Sequence, residues 1–229
     1  MCHLKESHFN KNEEYLKRYS KKFKTIYMPE EDVKELINKN LSGKRSIICI
    51  SANPDKYEKN DKQVYGKDDS LGIIKMLGMC GVKIENTYLI DNRNIKEFDK
   101  NLFLDVDIIY FMGGDPLLQN QFVIDNNLLE YIKMSDAFII CVSAGSMNLA
   151  ENTFIPKYEL NDKARFIKGF GLCNYSIVPH YDINDLMQVN EVKENCCEHN
   201  LIGLPNESAI YINGDIVEFV NDYYLYNSK

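Results

Sequence analysis

The sequence predicts an α/β domain: a doubly wound, mostly parallel sheet with helices on both faces and an antiparallel hairpin near the C-terminal end. Three observations carry that expectation. Short apolar runs alternate with helix-like segments along most of the chain, the order that parallel βαβ winding requires. The runs are continuously apolar, as strands buried on both faces are. Near the end, Asn213-Gly214 separates two apolar runs, a strong hairpin signal.

The predicted strands are residues 24–28 (KTIYM), 46–51 (SIICIS), 86–90 (NTYLI), 107–112 (DIIYFM) and 137–142 (AFIICV). Residues 55–69, polar and following a strand, read as a mobile loop over the carboxyl edge of the sheet. Residues 116–134 read as one helix, because Leu117, Leu118, Phe122, Leu128, Leu129 and Ile132 fall near one face. The last third repeats the theme with a strand at 175–178 (YSIV), a helix over 184–197, and the runs AIYI and DIVEFV of the hairpin. No repeat or low-complexity linker interrupts the pattern. Residues 1–229 are therefore expected to form a single domain, with a variable N-terminal extension in residues 1–43.

Composition narrows the function classes. The 229 residues are 45% hydrophobic and 27% charged, near the globular average, and the apolar runs are far short of the roughly 20 residues of a spanning helix. The first two dozen residues are polar and charged, unlike a secretory signal. Seven scattered cysteines, several inside apolar runs, read as reduced thiols. A cytoplasmic protein is expected. A formal charge of −7 argues against a nucleic-acid footprint, and the basic residues 17–24 read as a solvated helix end. Neither nucleic acid nor membrane is expected as a partner; the sequence allows a homodimer.

The run FIICVSAGSMNLA (138–150) ends a buried strand on Ser143, followed by Ala144-Gly145. Strand, sharp turn and helix in that order form a nucleophile elbow, whose small residues permit a strained turn and whose helix start offers N–H groups to an oxyanion. In G-x-S-x-G terms Cys141 stands at the first glycine and Gly145 at the second. A serine that simply caps a helix is the competing reading. A second strand ends in Gly113-Gly114-Asp115-Pro116, where backbone approaches something closely and a helix begins. Gly113, Gly114, Asp115 and Ala144 are thus the candidate oxyanion and substrate-binding set, with the Gly114 and Ala144 amides as donors.

A serine nucleophile needs a base. Of the four histidines His180 also follows an apolar run, whereas His3 and His8 lie in the polar N-terminus and His199 follows a predicted surface helix. Glu151, Glu159 and Asp162 lie between Ser143 and His180 as acids to orient the imidazole. Cys196, Cys197 and His199 lack a second spaced ligand pair, so no metal site is expected, and no cofactor motif is present.

The motifs YFMGGDPLLQ, VSAGSMNLA and IVPHYD, in that order, together with LPNESAIYING near the end, resemble the peptidase E (aspartyl dipeptidase) and cyanophycinase family of serine peptidases. The resemblance runs from about Lys44 to the C-terminus. It implies a class I glutamine amidotransferase-like fold, a nucleophile at Ser143, a base at His180, an acid at Glu159 with Asp162 in reserve, an oxyanion amide from Gly114 or Gly113, no cofactor, and a small peptide as substrate. Aspartyl dipeptidases are expected to hold the substrate aspartate with an arginine after the histidine. Between His180 and Glu207 this chain has no arginine and only Lys193, among Asp182, Asp185, Glu191, Glu194 and Glu198. Strict Asp-X specificity is therefore not expected; the acidic residues would suit a free α-amino group or a basic side chain. Two other readings stay open: a hydrolase of another amide or ester, and a catalytically silent binding protein on the same scaffold.

Overall fold

The computed structural model describes residues 31–67, 71–157, 163–197 and 199–227. The strand expected at residues 24–28 lies outside them. Helix α1 (Glu31–Leu41) leads into β1 (Ser46–Ile50), then α2 (Tyr57–Tyr65), α3 (Ile73–Met79), β2 (Asn86–Ile90), α4 (Leu102–Asp105) and β3 (Ile108–Phe111). Helices α5 (Pro116–Asp125) and α6 (Leu129–Met134) precede β4 (Phe138–Cys141) and the short α7 (Ala144–Met147). There follow β5 (Asn152–Ile155), β6 (Arg165–Lys168), β7 (Ser176–Pro179), α8 (Leu186–Asn195), β8 (Leu201–Leu204), β9 (Ala209–Asn213), β10 (Ile216–Val220) and β11 (Tyr224–Tyr226).

The central sheet has the order β2-β1-β3-β4, all parallel. Alternate residues of its strands enter two cores. Ile48, Ile50, Ile90, Ile109 and Phe111 pack under α4, α5 and α6 with Phe103, Phe122, Val123 and Ile132. Ile47, Cys49, Leu89, Ile108 and Tyr110 face Leu41, Val64, Ile73 and Leu77 of α1, α2 and α3. Helices thus cover both faces, and each buried Ile or Phe contributes about 1.5–3 kcal/mol. A second sheet, β11-β8-β7, pairs β7 with β8 in parallel, while β9 and β10 form the expected antiparallel hairpin. Among the described residues no helix is long and apolar enough to cross a membrane.

Two expectations are corrected. The helix read over residues 116–134 is two helices, broken at Asn126 and Asn127, where Asn127 takes φ 52°. Asparagine is a weak helix former that tolerates the left-handed region, and the apolar spacing continued across the break. The segment 55–69, read as a mobile loop, instead contains α2 and turns its Asn60 and Val64 inward. A polar anchor replaces the usual apolar stripe. Asn60 accepts from Ser51 Oγ at 2.9 Å and donates to Asn53 O at 3.1 Å and to Asp91 Oδ2 at 3.0 Å.

Arg93 completes that anchor. Its guanidinium forks onto Asp61 of α2 at 2.7 and 2.9 Å and onto the fully buried Asp91 at 2.8 Å, with Tyr57 beneath it at 5.0 Å. The bidentate geometry is what a guanidinium supplies and an ammonium does not. It also holds the Asp61 carboxyl below the usual carboxylate range.

Candidate active site

Ser143 leaves β4 at φ 52°, ψ −113°, a conformation that costs a non-glycine residue about 1–3 kcal/mol and that clusters at functional sites. The following helix sits hard against the neighbouring strand. A Cβ on Gly145 would stand 2.6 Å from both the Phe111 carbonyl oxygen and the Phe111 Cβ. This second glycine of the elbow therefore keeps its place because strand backbone lies where a side chain would go.

His180 follows β7, which α7 packs against, and it too has positive φ, at 57°. Its Nε2 lies 2.8 Å from Ser143 Oγ. On the other side of the ring, Nδ1 is 2.7 Å from Asn206 Oδ1. An amide oxygen can only accept, so Nδ1 carries a proton, and in the neutral ring the lone pair is then on Nε2, facing the serine hydroxyl. The ring is in the tautomer a general base requires.

Asn206 was not among the candidates, and strand pairing is what brings it to the ring. It stands just past β8, which runs parallel to β7 with Leu204 opposite Pro179. Residues beyond those two strand ends must converge. Glu207, next in the chain, is again at positive φ, 70°. Glu159 and Asp162 lie outside the described residues. Glu151 lies among them and is exposed. Of the other histidines, His3 and His8 lie outside the described residues, and His199 packs edge-on against Phe166 with ring centroids 4.6 Å apart.

The second strand end lies alongside. Gly113 approaches the nucleophile so closely that a Cβ there would be 3.4 Å from Ser143 Cβ. Asp115 caps α5, its Oδ1 accepting from the Leu117 and Leu118 N–H groups at 2.9 and 3.0 Å, a cap worth about 1 kcal/mol. The carboxylate expected in the substrate set thus fixes the helix that follows the turn. A buried amide cluster fastens both turns together. Gln119 donates to Ile50 O and Met112 O, Asn148 donates to Pro116 O, and Asn120 donates to Asn148 Oδ1.

Cys141, two residues before the serine, is no rival nucleophile, since loss of hydration pushes its thiol well above the ordinary value and keeps it protonated. Three of the acidic residues after His180 are engaged within the fold, and Glu198 lies outside the described residues. Asp185 caps α8, Asp182 accepts from Asn184, and Glu191 accepts from Lys157 N–H. Exposed apolar side chains, Ile183, Leu186 and Met187, fill the same stretch. Among the described residues no cluster of three His, Cys, Asp or Glu side chains could hold a metal ion.

The model of peptidase family S51 matches residues 72–220, which include Ser143, His180 and Asn206. A peptidase from an acI-B1 Actinobacterium superposes with a TM-score of 0.59 at 16% identity, covering 89% of this chain and 90% of that one. A Listeria monocytogenes EGD-e protein assigned as a peptidase E superposes at 0.55 with 21% identity, covering 82% and 93%. At these identities the superpositions speak to the fold. A search of curated protein sequences finds no match.

Proposed function

The chain belongs to peptidase family S51, and from that premise we propose that this serine-type peptidase is an exopeptidase releasing residues from small peptides through an acyl-enzyme on Ser143. The observation that carries the reading is the 2.8 Å contact of Ser143 Oγ with a histidine in the base tautomer. His180 takes the hydroxyl proton as Oγ attacks the scissile carbonyl. The Gly114 and Ala144 N–H groups receive the oxyanion. His180 returns the proton to the leaving amine as the C–N bond breaks, and water hydrolyses the ester by the reverse proton route.

The third member of the constellation is divided between two residues. The Asn206 carboxamide fixes the tautomer without adding charge, as an asparagine does in cysteine peptidases of the papain type. Glu159 is the acid proposed to support the imidazolium. Comparing Asn206→Ala with Glu159→Gln tests this division. Asn206→Ala is expected to lower kcat/KM by roughly ten- to a hundredfold, part of the 10²–10⁴ that a positioned base supplies. Asn206→Asp should move the acidic limb of the pH profile upward, since a carboxylate favours the charged imidazole. An unchanged profile and rate in both Asn206 variants would remove Asn206 from the constellation.

Substrate choice follows from the stretch after His180, which has no arginine and whose Asp182, Asp185 and Glu191 accept hydrogen bonds within the fold. Strict preference for an N-terminal aspartate is not expected. The test is a dipeptide panel with acidic, neutral and basic N-terminal residues: neutral substrates should be cleaved at least as efficiently as Asp-X. A kcat/KM confined to Asp-X would contradict this part of the proposal.

A further inference from the structure

We infer that Gln63, on α2, is a positioning residue for the oxyanion hole, acting through the peptide group that joins Gly113 to Gly114. The inference rests on the reading that the Gly114 N–H stabilises the oxyanion. Gln63 Nε2 donates to the Gly113 carbonyl oxygen at 3.2 Å. That carbonyl and the Gly114 N–H belong to one planar trans peptide, so they point in opposite directions and turn together. A donor on the carbonyl both fixes the plane and polarises the N–H at its other end, in the manner of a hydrogen-bond chain.

The surroundings make this a constraint on the turn. Asn53 closes the other side of the Gly114 Cα, where a Cβ would lie 2.0 Å from Asn53 Nδ2. Asn53 is itself held, its N–H donating to Ser51 Oγ and its carbonyl accepting from Asn60. Gln63 in turn belongs to a helix fastened at Asn60 and by the Asp61–Arg93–Asp91 bridge. A polar network on the β1 and β2 strand ends is thereby connected to the one peptide whose orientation the chemistry needs.

The test uses Gln63→Met, which keeps length and helix propensity, and Gln63→Glu, which keeps shape but has no proton to donate at neutral pH. In both, kcat is expected to fall about 10- to 100-fold, less than the 10²–10³ for deleting an oxyanion donor outright, while KM stays near wild type. Affinity for a peptide aldehyde, whose adduct on Ser143 places an oxyanion in the hole, should fall in parallel with kcat/KM. Gln63→Glu, which sets an anion against the carbonyl, should lose more than Gln63→Met. Variants as active as wild type, or a loss confined to KM, would overturn the inference and leave the peptidase reading intact. A wild-type enzyme that cleaves no peptide and forms no adduct would remove both.

Discussion

Ser143→Ala is expected to lose peptide cleavage by about 10⁵–10⁶ in kcat, the scale on which removing the nucleophile of a serine peptidase operates, while folding like the wild type. The size follows from covalent catalysis. Without Oγ there is no acyl-enzyme, and His180 at Nε2 has no hydroxyl to deprotonate. The fold survives because the elbow is held by backbone groups that alanine retains: Ser143 O accepts from Ser146 N–H and Met147 N–H at 2.9 and 3.2 Å. Alanine bears the same Cβ at φ 52° and adds no new strain. Steady-state hydrolysis beside a thermal melt checks both halves. Appreciable cleavage by the variant would move the chemistry to another residue.

Gly114→Ala carries the second largest effect. Its Cβ would stand 2.0 Å from Asn53 Nδ2 and 3.0 Å from Ala52 Cβ. Asn53 is buried, at 6% exposed, and Gly114 itself holds φ 154°, where a side chain is strained whatever the space, so the turn is expected to shift. Turning the Gly113–Gly114 peptide withdraws the proposed oxyanion donor, and kcat should fall by about 10²–10³. KM should change little, because the hole is made for the tetrahedral state and not for the planar carbonyl. A variant with wild-type kcat would show that the oxyanion is held elsewhere.

What the sequence revealed and concealed has a common physical basis. Strands β1 to β4 were legible because burial on both faces leaves continuous apolar runs, and Ser143 and His180 because each interrupts such a run at its carboxyl end. Gly145 stood out for the same reason, and the Phe111 backbone beside it explains the glycine. Helix α2 was hidden because its anchor is polar: Asn60 and Asp61 look like surface residues until Ser51, Asp91 and Arg93 are brought to them from distant segments. Asn206 was hidden because its role depends on the pairing of β7 with β8, a contact that no local pattern announces. The amide meets the ring's need for orientation, and the charge that Glu159 is proposed to supply is a separate need.

The arrangement of strained residues supports the same account. Ser143, His180 and Glu207 all hold positive φ, and they flank or form the contact between serine, imidazole and carboxamide. Strain of about 1–3 kcal/mol at each position is sustained by the strand pairing on either side.

The most direct measurement is covalent trapping with a serine-directed fluorophosphonate, read by intact mass and by peptide mapping, on wild type, Ser143→Ala and His180→Ala. The account predicts one adduct per chain in the wild type, located on Ser143, none in Ser143→Ala, and strongly slowed formation in His180→Ala. An adduct on another residue, or undiminished labelling without the histidine, would contradict it.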